Sequence, residues 1–356
     1  MLKWPIGAKE TEKLQLELTS YCNLACPGCE RLANPAALPF LNTNYMHLED
    51  IKKWFTIETL PKLAIISFSG QIDEPLIHPE ADKIIEYLIE EFPSTRISIS
   101  TNGATRNEKF FTRIGEISNK YKRPNGDKRL DVEFAIDGLE DTNHIYRVGA
   151  DWNKLMRNAK AFIAAGGLAS WKFIMFNHNY NQVKEANKMA VEMGFHRFTY
   201  IASARKSTEK LGMNFVPKLI KGKKPINSKA FGSVKAPPGQ PKKTLNDGSK
   251  PKIHCKALKR LDGRKGWLFV NHDGFAQPCC YFGFQHRTID PLDNLHNISA
   301  EEFFDTSPFL TGLMESWESD KPNPICARKC TGAGNRDSAI TLLRNGEEQW
   351  EVVKNR

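Results

Sequence analysis

The chain has 356 residues, a length that allows one large barrel or two to three smaller units, and its 40% hydrophobic and 26% charged residues are ordinary for a globular protein. It carries no apolar run of about 18 residues, and the opening MLKWPIGAKETEKLQLEL lacks the apolar stretch and cleavage site of a secretory signal. A membrane span is therefore not expected, and a cytoplasmic location is. The net charge of +10 brings an anionic partner into consideration. Most of that excess lies between Lys218 and Arg264, where Asp247 and Asp262 are the only acidic residues. Such a run reads first as a solvated loop and second as a nucleic-acid site. Eight cysteines in an intracellular chain point to metal ligation or catalysis, because the cytosol keeps thiols reduced.

In chain order, strands are expected at Leu14–Leu18, Leu63–Phe68, Ile97–Ser100, Val132–Ile136, Trp171–Met175 and Phe198–Ile201. Helices are expected between them at Leu48–Thr59, Glu80–Glu91, Asn107–Ser118, Trp152–Ala165 and Gln182–Met193, from apolar residues spaced three and four apart. Gly103, Gly166 and Gly194 fall near element ends, where a positive φ is often needed. Strands alternating with helices imply a parallel sheet with helices outside it. The pattern divides the chain into residues 1–203, a Lys/Pro/Gly-rich stretch over 204–252, a smaller α+β unit over 253–338 and a tail over 339–356. In the smaller unit GWLFVNHDGFAQPCCYF reads as a hairpin turning at His272-Asp273-Gly274.

Just beyond the first strand, Cys22, Cys26 and Cys29 follow at the spacing Cys-x3-Cys-x2-Cys, with Pro27 and Gly28 suited to a tight turn. Four thiolates would saturate a four-iron, four-sulfur (4Fe-4S) cluster, whereas three leave one iron open. A structural zinc site normally closes with four ligands, and no further Cys or His follows before His47.

This segment resembles the radical S-adenosylmethionine (SAM) superfamily over residues 14–203. The resemblance implies a partial (β/α)6 barrel in which the open iron chelates SAM, whose reductive cleavage gives a 5′-deoxyadenosyl radical that takes hydrogen from a substrate. One departure is Gly28, because the residue before the third cysteine is usually an aromatic near the adenine; another side chain must fill that space. FSGQIDEPLIHPE resembles the family's Gly-Gly-x-Gly-Glu-Pro segment, keeping Gly70, Glu74 and Pro75, with Gln71 and Asp73 where glycines are common. In the family this edge strand offers backbone groups to the methionine ammonium. Thr101 and Asn102, before Gly103, lie where the family contacts the ribose, and Arg147 resembles the arginine near the SAM carboxylate. Asp137 falls at the C-terminal end of the fourth strand, where barrel enzymes place their chemistry, and is a candidate proton acceptor. Asn177 and His178 fall near the mouth, His178 reading first as structural.

Cys255, Cys279, Cys326 and Cys330 resemble the SPASM/twitch extension of the same superfamily, which implies a second, auxiliary 4Fe-4S cluster. Adjacent strand residues point to opposite faces, so Cys279 is expected as the ligand and Cys280 as a spare thiol. A four-cysteine zinc site is the competing reading. Together these features imply radical modification of a peptide or small polar metabolite, with an electron donor such as flavodoxin or ferredoxin. Modification of tRNA or DNA is the alternative that the basic run suggests, at Lys221, Lys223 and Lys224 among others. A non-catalytic iron-sulfur protein would not need the segments at 70–75 and 101–103 or Arg147.

Overall fold

The computed structural model describes residues 3–33, 41–69, 71–203, 206–213, 253–258, 263, 265–283, 291–330, 339–343 and 351–353. Most of the basic run, including Lys221, Lys223 and Lys224, lies outside them, as does Gly70.

Six parallel strands form the frame: β1 (Lys13–Leu16), β2 (Ile65–Phe68), β3 (Arg96–Thr101), β4 (Leu130–Ala135), β5 (Leu168–Met175) and β6 (Arg197–Ala202). The connections carry α1 (Glu30–Ala33), α2 (Leu48–Trp54), α3 (Ala81–Glu91), α4 (Glu108–Lys120), α5 (Asn143–Tyr146), α6 (Trp152–Ala164) and α7 (Val183–Met193), with α8 (Lys206–Lys210) after β6. Alternation and helical spacing in the sequence place all six strands and the five longer helices within a few residues. The helix expected to reach Thr59 stops earlier, with Phe55 as its extended C-cap and the side chain of Thr59 bonded to the carbonyls of Trp54 and Thr56. Gly103, Gly166 and Gly194 have φ of 69°, 85° and 89°, the left-handed turns their positions imply.

Among the described residues the sheet is open and ten-stranded, in the order β10-β9-β6-β5-β4-β3-β2-β1-β7-β8. Here β7 (Trp267–Val270) runs parallel to β1 and antiparallel to β8 (Ala276–Gln277), so the hairpin of the smaller unit extends the same sheet. The turn falls where the Asp-Gly signal places it, with Gly274 at φ 85° donating its N–H to the Asn271 carbonyl at 2.9 Å. Helices α9 (Ala300–Thr306), α10 (Pro308–Glu318) and α11 (Pro324–Cys330) follow. In the tail, β9 (Ala339–Leu343) pairs with β6 and with β10 (Glu351–Val353), both antiparallel. The family resemblance implies that the second strand is an edge strand; instead β2 lies between β1 and β3.

One face of the sheet is apolar and covered by helices. Ile97, Ile99, Val132, Phe134, Trp171 and Phe173 from alternate strand positions pack with Ile84, Leu88, Phe111, Leu155 and Phe162 of the helices, all buried. Each large side chain there contributes roughly 1.5–3 kcal/mol by leaving water. Asn107 and Asp151 start α4 and α6 by accepting the N–H groups of Phe110 and Lys154. The two helices approach closely at Gly115, where a Cβ would stand 2.5 Å from the Phe162 carbonyl oxygen and 2.8 Å from Ala165 Cβ. Gly115→Ala should therefore cost about 1–3 kcal/mol through overpacking, seen as a lower midpoint of thermal unfolding; an unchanged midpoint would show that α4 and α6 can separate freely.

Candidate functional site

The C-terminal ends of β1 to β5 converge on the first cysteine loop. This loop has little regular structure, so side chains from its neighbours hold its backbone. Arg31, buried just past the third cysteine, donates through Nη1 to the carbonyls of Ser20 at 2.6 Å and Ile72 at 2.9 Å, and through Nη2 to Asn42 Oδ1 at 2.5 Å. Asn23 is tied to Asn102 Nδ2 at 2.9 Å, and the Cys29 N–H donates to the Cys26 carbonyl at 3.0 Å.

Two of the three sulfurs face N–H donors. Asn102 Nδ2 lies 3.9 Å from Cys22 Sγ, and Arg147 Nη1 lies 3.9 Å from Cys26 Sγ. Cys29 Sγ sits 3.8 Å from the Gln71 carbonyl oxygen. Burial is the main cause that pushes the Cys22 thiol up to about 12 and raises Cys26; Glu74 adds to the first, while Arg147 opposes the second. Thiols held so high are poor nucleophiles at neutral pH, and they become thiolates when a metal takes the place of the proton.

Glu74, fully buried, organises the adjoining strand end. Its carboxylate accepts the Asn102 N–H at 2.7 Å, the Thr101 hydroxyl and, more weakly, the Leu76 N–H at 3.4 Å. Pro75 opens the short 3-10 turn Pro75–Ile77 that follows. Thus Asn102 is brought to Cys22, and Glu74 holds it and Thr101 in place.

Asp137 and Arg147 form an ion pair with Nε to Oδ2 at 2.6 Å, and Asp137 Oδ1 also accepts the Ile174 N–H at 2.6 Å. Asp137 is wholly buried, so its place is behind Arg147, which it aims toward Cys26. Burial by itself would lower the Arg147 pKa, yet the Asp137 carboxylate and Cys26 carry it above the usual arginine range. The space at Gly28, where an aromatic is usual in the family, is filled by Tyr146 and Thr208; a Cβ at Gly28 would stand 3.3 Å from the Tyr146 ring and closer still to Thr208. Asn177 bonds backward, through Nδ2 to the Gly212 carbonyl at 2.9 Å. His178 stacks on Phe176 with centroids 5.4 Å apart, and burial lowers its pKa.

The second cysteine group comes together around a small cavity lined by Cys255, Cys279, Cys326 and Cys330, with Ala257, Tyr281 and others. Cys280 does not line it. Burial raises the thiols of Cys255 to about 12 and of Cys326 to about 11, and lifts Cys279 well above its ordinary value. Among the described residues no three His, Cys, Asp or Glu side chains converge as ligands of one metal ion. In a cluster each thiolate binds a different iron, so its ligands do not meet at one point.

Sequence reasoning missed the residues joining the two groups. The Gln71 side chain donates to the Cys280 carbonyl, and its backbone N–H, with that of Ile72, donates to buried Glu17 at 2.8 and 3.0 Å. Glu17 Oε2 in turn lies 3.5 Å from His272 Nδ1 in the hairpin turn. Burial, then Glu17 and Glu74, push Asp73 well above the usual carboxylate range. The only sequence signal for this link was a pair of polar residues, Gln71 and Asp73, where the family prefers glycine.

Burial also lifts Glu74 to about 7 from an ordinary 4.5, against the hydrogen bonds from Asn102 and Thr101. The folded chain then keeps a proton that the unfolded chain has lost. The stability this provides is fully present below pH 4.5 and is lost as pH rises to about 7. Glu74→Gln should flatten the decline of the urea midpoint across that window; an unaltered slope would place the titration elsewhere.

No protein-family model and no curated protein sequence matches the chain. Solved structures do. SuiB of Streptococcus suis bound to S-adenosylmethionine aligns with a TM-score of 0.56 at 11% identity, over 89% of this chain and 77% of SuiB. SuiB bound to the precursor peptide SuiA gives 0.54 at 13%, over 89% and 76%. A histidine-tagged anSMEcpe with bound AdoMet gives 0.54 at 17%, over 86% and 80%. Identities this low speak for the fold. The open parallel sheet with helices packed on it is the fold of these structures, and the chain has the radical SAM fold.

Proposed function

We propose that the chain is a radical SAM enzyme that modifies a peptide or a small polar metabolite, with a second iron-sulfur cluster in the smaller unit. The observation that carries the reading is the loop of Cys22, Cys26 and Cys29 with Asn102 and Arg147 turned toward its sulfurs. Cys26 is buried and Cys22 and Cys29 are half-buried, and N–H donors beside two of the three sulfurs suit thiolate ligands, since hydrogen bonds to sulfur stabilise negative charge there. A 4Fe-4S cluster bound by these three cysteines, with SAM on the open iron, would supply the electron and the 5′-deoxyadenosyl radical.

The chain's own residues hold and orient. Glu74 fixes Thr101 and Asn102, the residues that resemble the family's ribose contacts, and Asn102 lies beside Cys22. Arg147 carries a guanidinium that matches a carboxylate, and Asp137 keeps it in place. Because Asp137 already has Arg147 and the Ile174 amide as partners, we assign it to positioning Arg147 in preference to accepting a proton. Tyr146, at the Gly28 position, excludes water from the loop. The peptide option is supported by SuiB, whose fold is similar and which has been solved with its precursor peptide SuiA.

Replacing Cys22, Cys26 and Cys29 together by Ala should remove one cluster's iron and abolish 5′-deoxyadenosine formation, with far-UV circular dichroism unchanged. Continued SAM cleavage by that variant with dithionite would refute the assignment. For the second site, Cys279→Ala should lower iron to the content of a one-cluster protein, whereas Cys280→Ala should keep it. The reverse pattern would exchange the two assignments, and zinc in the anaerobically purified chain would remove the auxiliary cluster from the proposal.

A further inference from the structure

Gln71 stands where the family resemblance places a glycine, and its side chain crosses to the other cysteine group. Its main chain belongs to the first. The Gln71 carbonyl oxygen lies 3.8 Å from Cys29 Sγ, its N–H donates to Glu17 Oε1 at 2.8 Å, and the Ile72 carbonyl that follows accepts Arg31 Nη1 at 2.9 Å. The side chain belongs to the second. Gln71 Nε2 donates to the carbonyl of Cys280, the neighbour of Cys279, and the turn closes over the amide at Gly283, where a Cβ would stand 2.7 Å from Gln71 Cδ and 3.1 Å from Nε2.

The turn that receives Gln71 is also fastened from its own side. Gln277 of β8, wholly buried, donates to the Gly283 carbonyl at 2.8 Å, the Phe282 N–H donates to the Cys279 carbonyl at 3.3 Å, and the Phe282 ring meets Phe309 of α10 edge-on with centroids 5.1 Å apart. Residues 279–283 thus carry a cysteine of the second group and grip the Gln71 amide within five positions. A glycine at position 71 has no side chain to be gripped.

We propose that Gln71 is a positioning residue through which the filling of the second cysteine group sets the affinity of the first for SAM. The inference rests on the radical SAM reading, in which the segment 70–75 serves the methionine end of the cofactor. Binding one centre fixes Cys279 relative to Cys255, Cys326 and Cys330, and with it the Cys280 carbonyl and the amide held there. When the second group is empty, that constraint on the turn is gone and Gln71 is less firmly placed. Coupling between two binding events is reciprocal, so SAM should strengthen the hold of the second group on its cluster in turn. Glu17 and Arg31 secure the main chain of residues 71–72 without help from the side chain, so trimming Gln71 should cut the link and leave the segment in place.

The test is a double-mutant cycle on the anaerobically reconstituted chain, with SAM affinity measured by equilibrium dialysis and the first cluster followed by electron paramagnetic resonance. Cys279→Ala should weaken SAM binding about fivefold or more when Gln71 is present, and less than about twofold in the Gln71→Gly background. In the reciprocal measurement, saturating SAM should slow the loss of the second cluster's iron to a chelator in the parent and leave it unchanged in Gln71→Gly. Should Gln71→Gly fail to keep the first cluster, Gln71→Leu keeps the bulk, removes the donor and takes its place in the cycle. SAM affinity indifferent to Cys279→Ala, or weakened equally in both backgrounds, would overturn the inference and leave the radical SAM reading standing. A parent that neither binds SAM nor changes its cluster signal on SAM addition would defeat that reading, and the inference with it.

Discussion

A cysteine loop with almost no regular structure has to keep three sulfurs in place at the end of a sheet, and buried polar side chains meet that requirement. Glu74 is central among them. Its carboxylate gathers Thr101 and the Asn102 amide, Asn102 reaches Cys22 and Asn23, and burial without a cation in contact raises its pKa to about 7. Arg31 and the Asp137–Arg147 pair hold the other side of the loop. Removing any of these groups leaves a desolvated partner, which costs more than the lost bond alone.

The same economy of contacts joins the two cysteine groups. Gln71 touches Cys29 through its carbonyl and the Cys280 carbonyl through its side chain, while Glu17 at the end of β1 faces His272 in the hairpin. Because β7 pairs directly with β1 and with β8, Cys279, just past β8, is carried on an extension of the same sheet.

The parts of the structure legible in the sequence are those with local causes. The spacing of Cys22, Cys26 and Cys29, the apolar periodicity of α3, α4, α6 and α7, and the Asp273-Gly274 turn are each complete within a few residues. The pairing of β7 with β1 is not, since about 250 residues separate them and neither strand encodes its neighbour. Arg31 carried no motif, and its role depends on carbonyls supplied by Ser20 and Ile72. Alternation in RISIST, LDVEFA and SWKFIM is visible and marks strands, and it also implies a polar face opposite the helices, because parallel strands buried on both faces read as continuous apolar runs.

The central claim is that Cys22, Cys26 and Cys29 hold a cluster with an iron open to SAM. Electron paramagnetic resonance of the anaerobically reconstituted, dithionite-reduced chain tests it directly. Addition of SAM should change the signal of the reduced 4Fe-4S cluster, and that response should vanish when the three cysteines are replaced by Ala. A cluster signal indifferent to SAM, or a SAM response that persists in the triple variant, would contradict it.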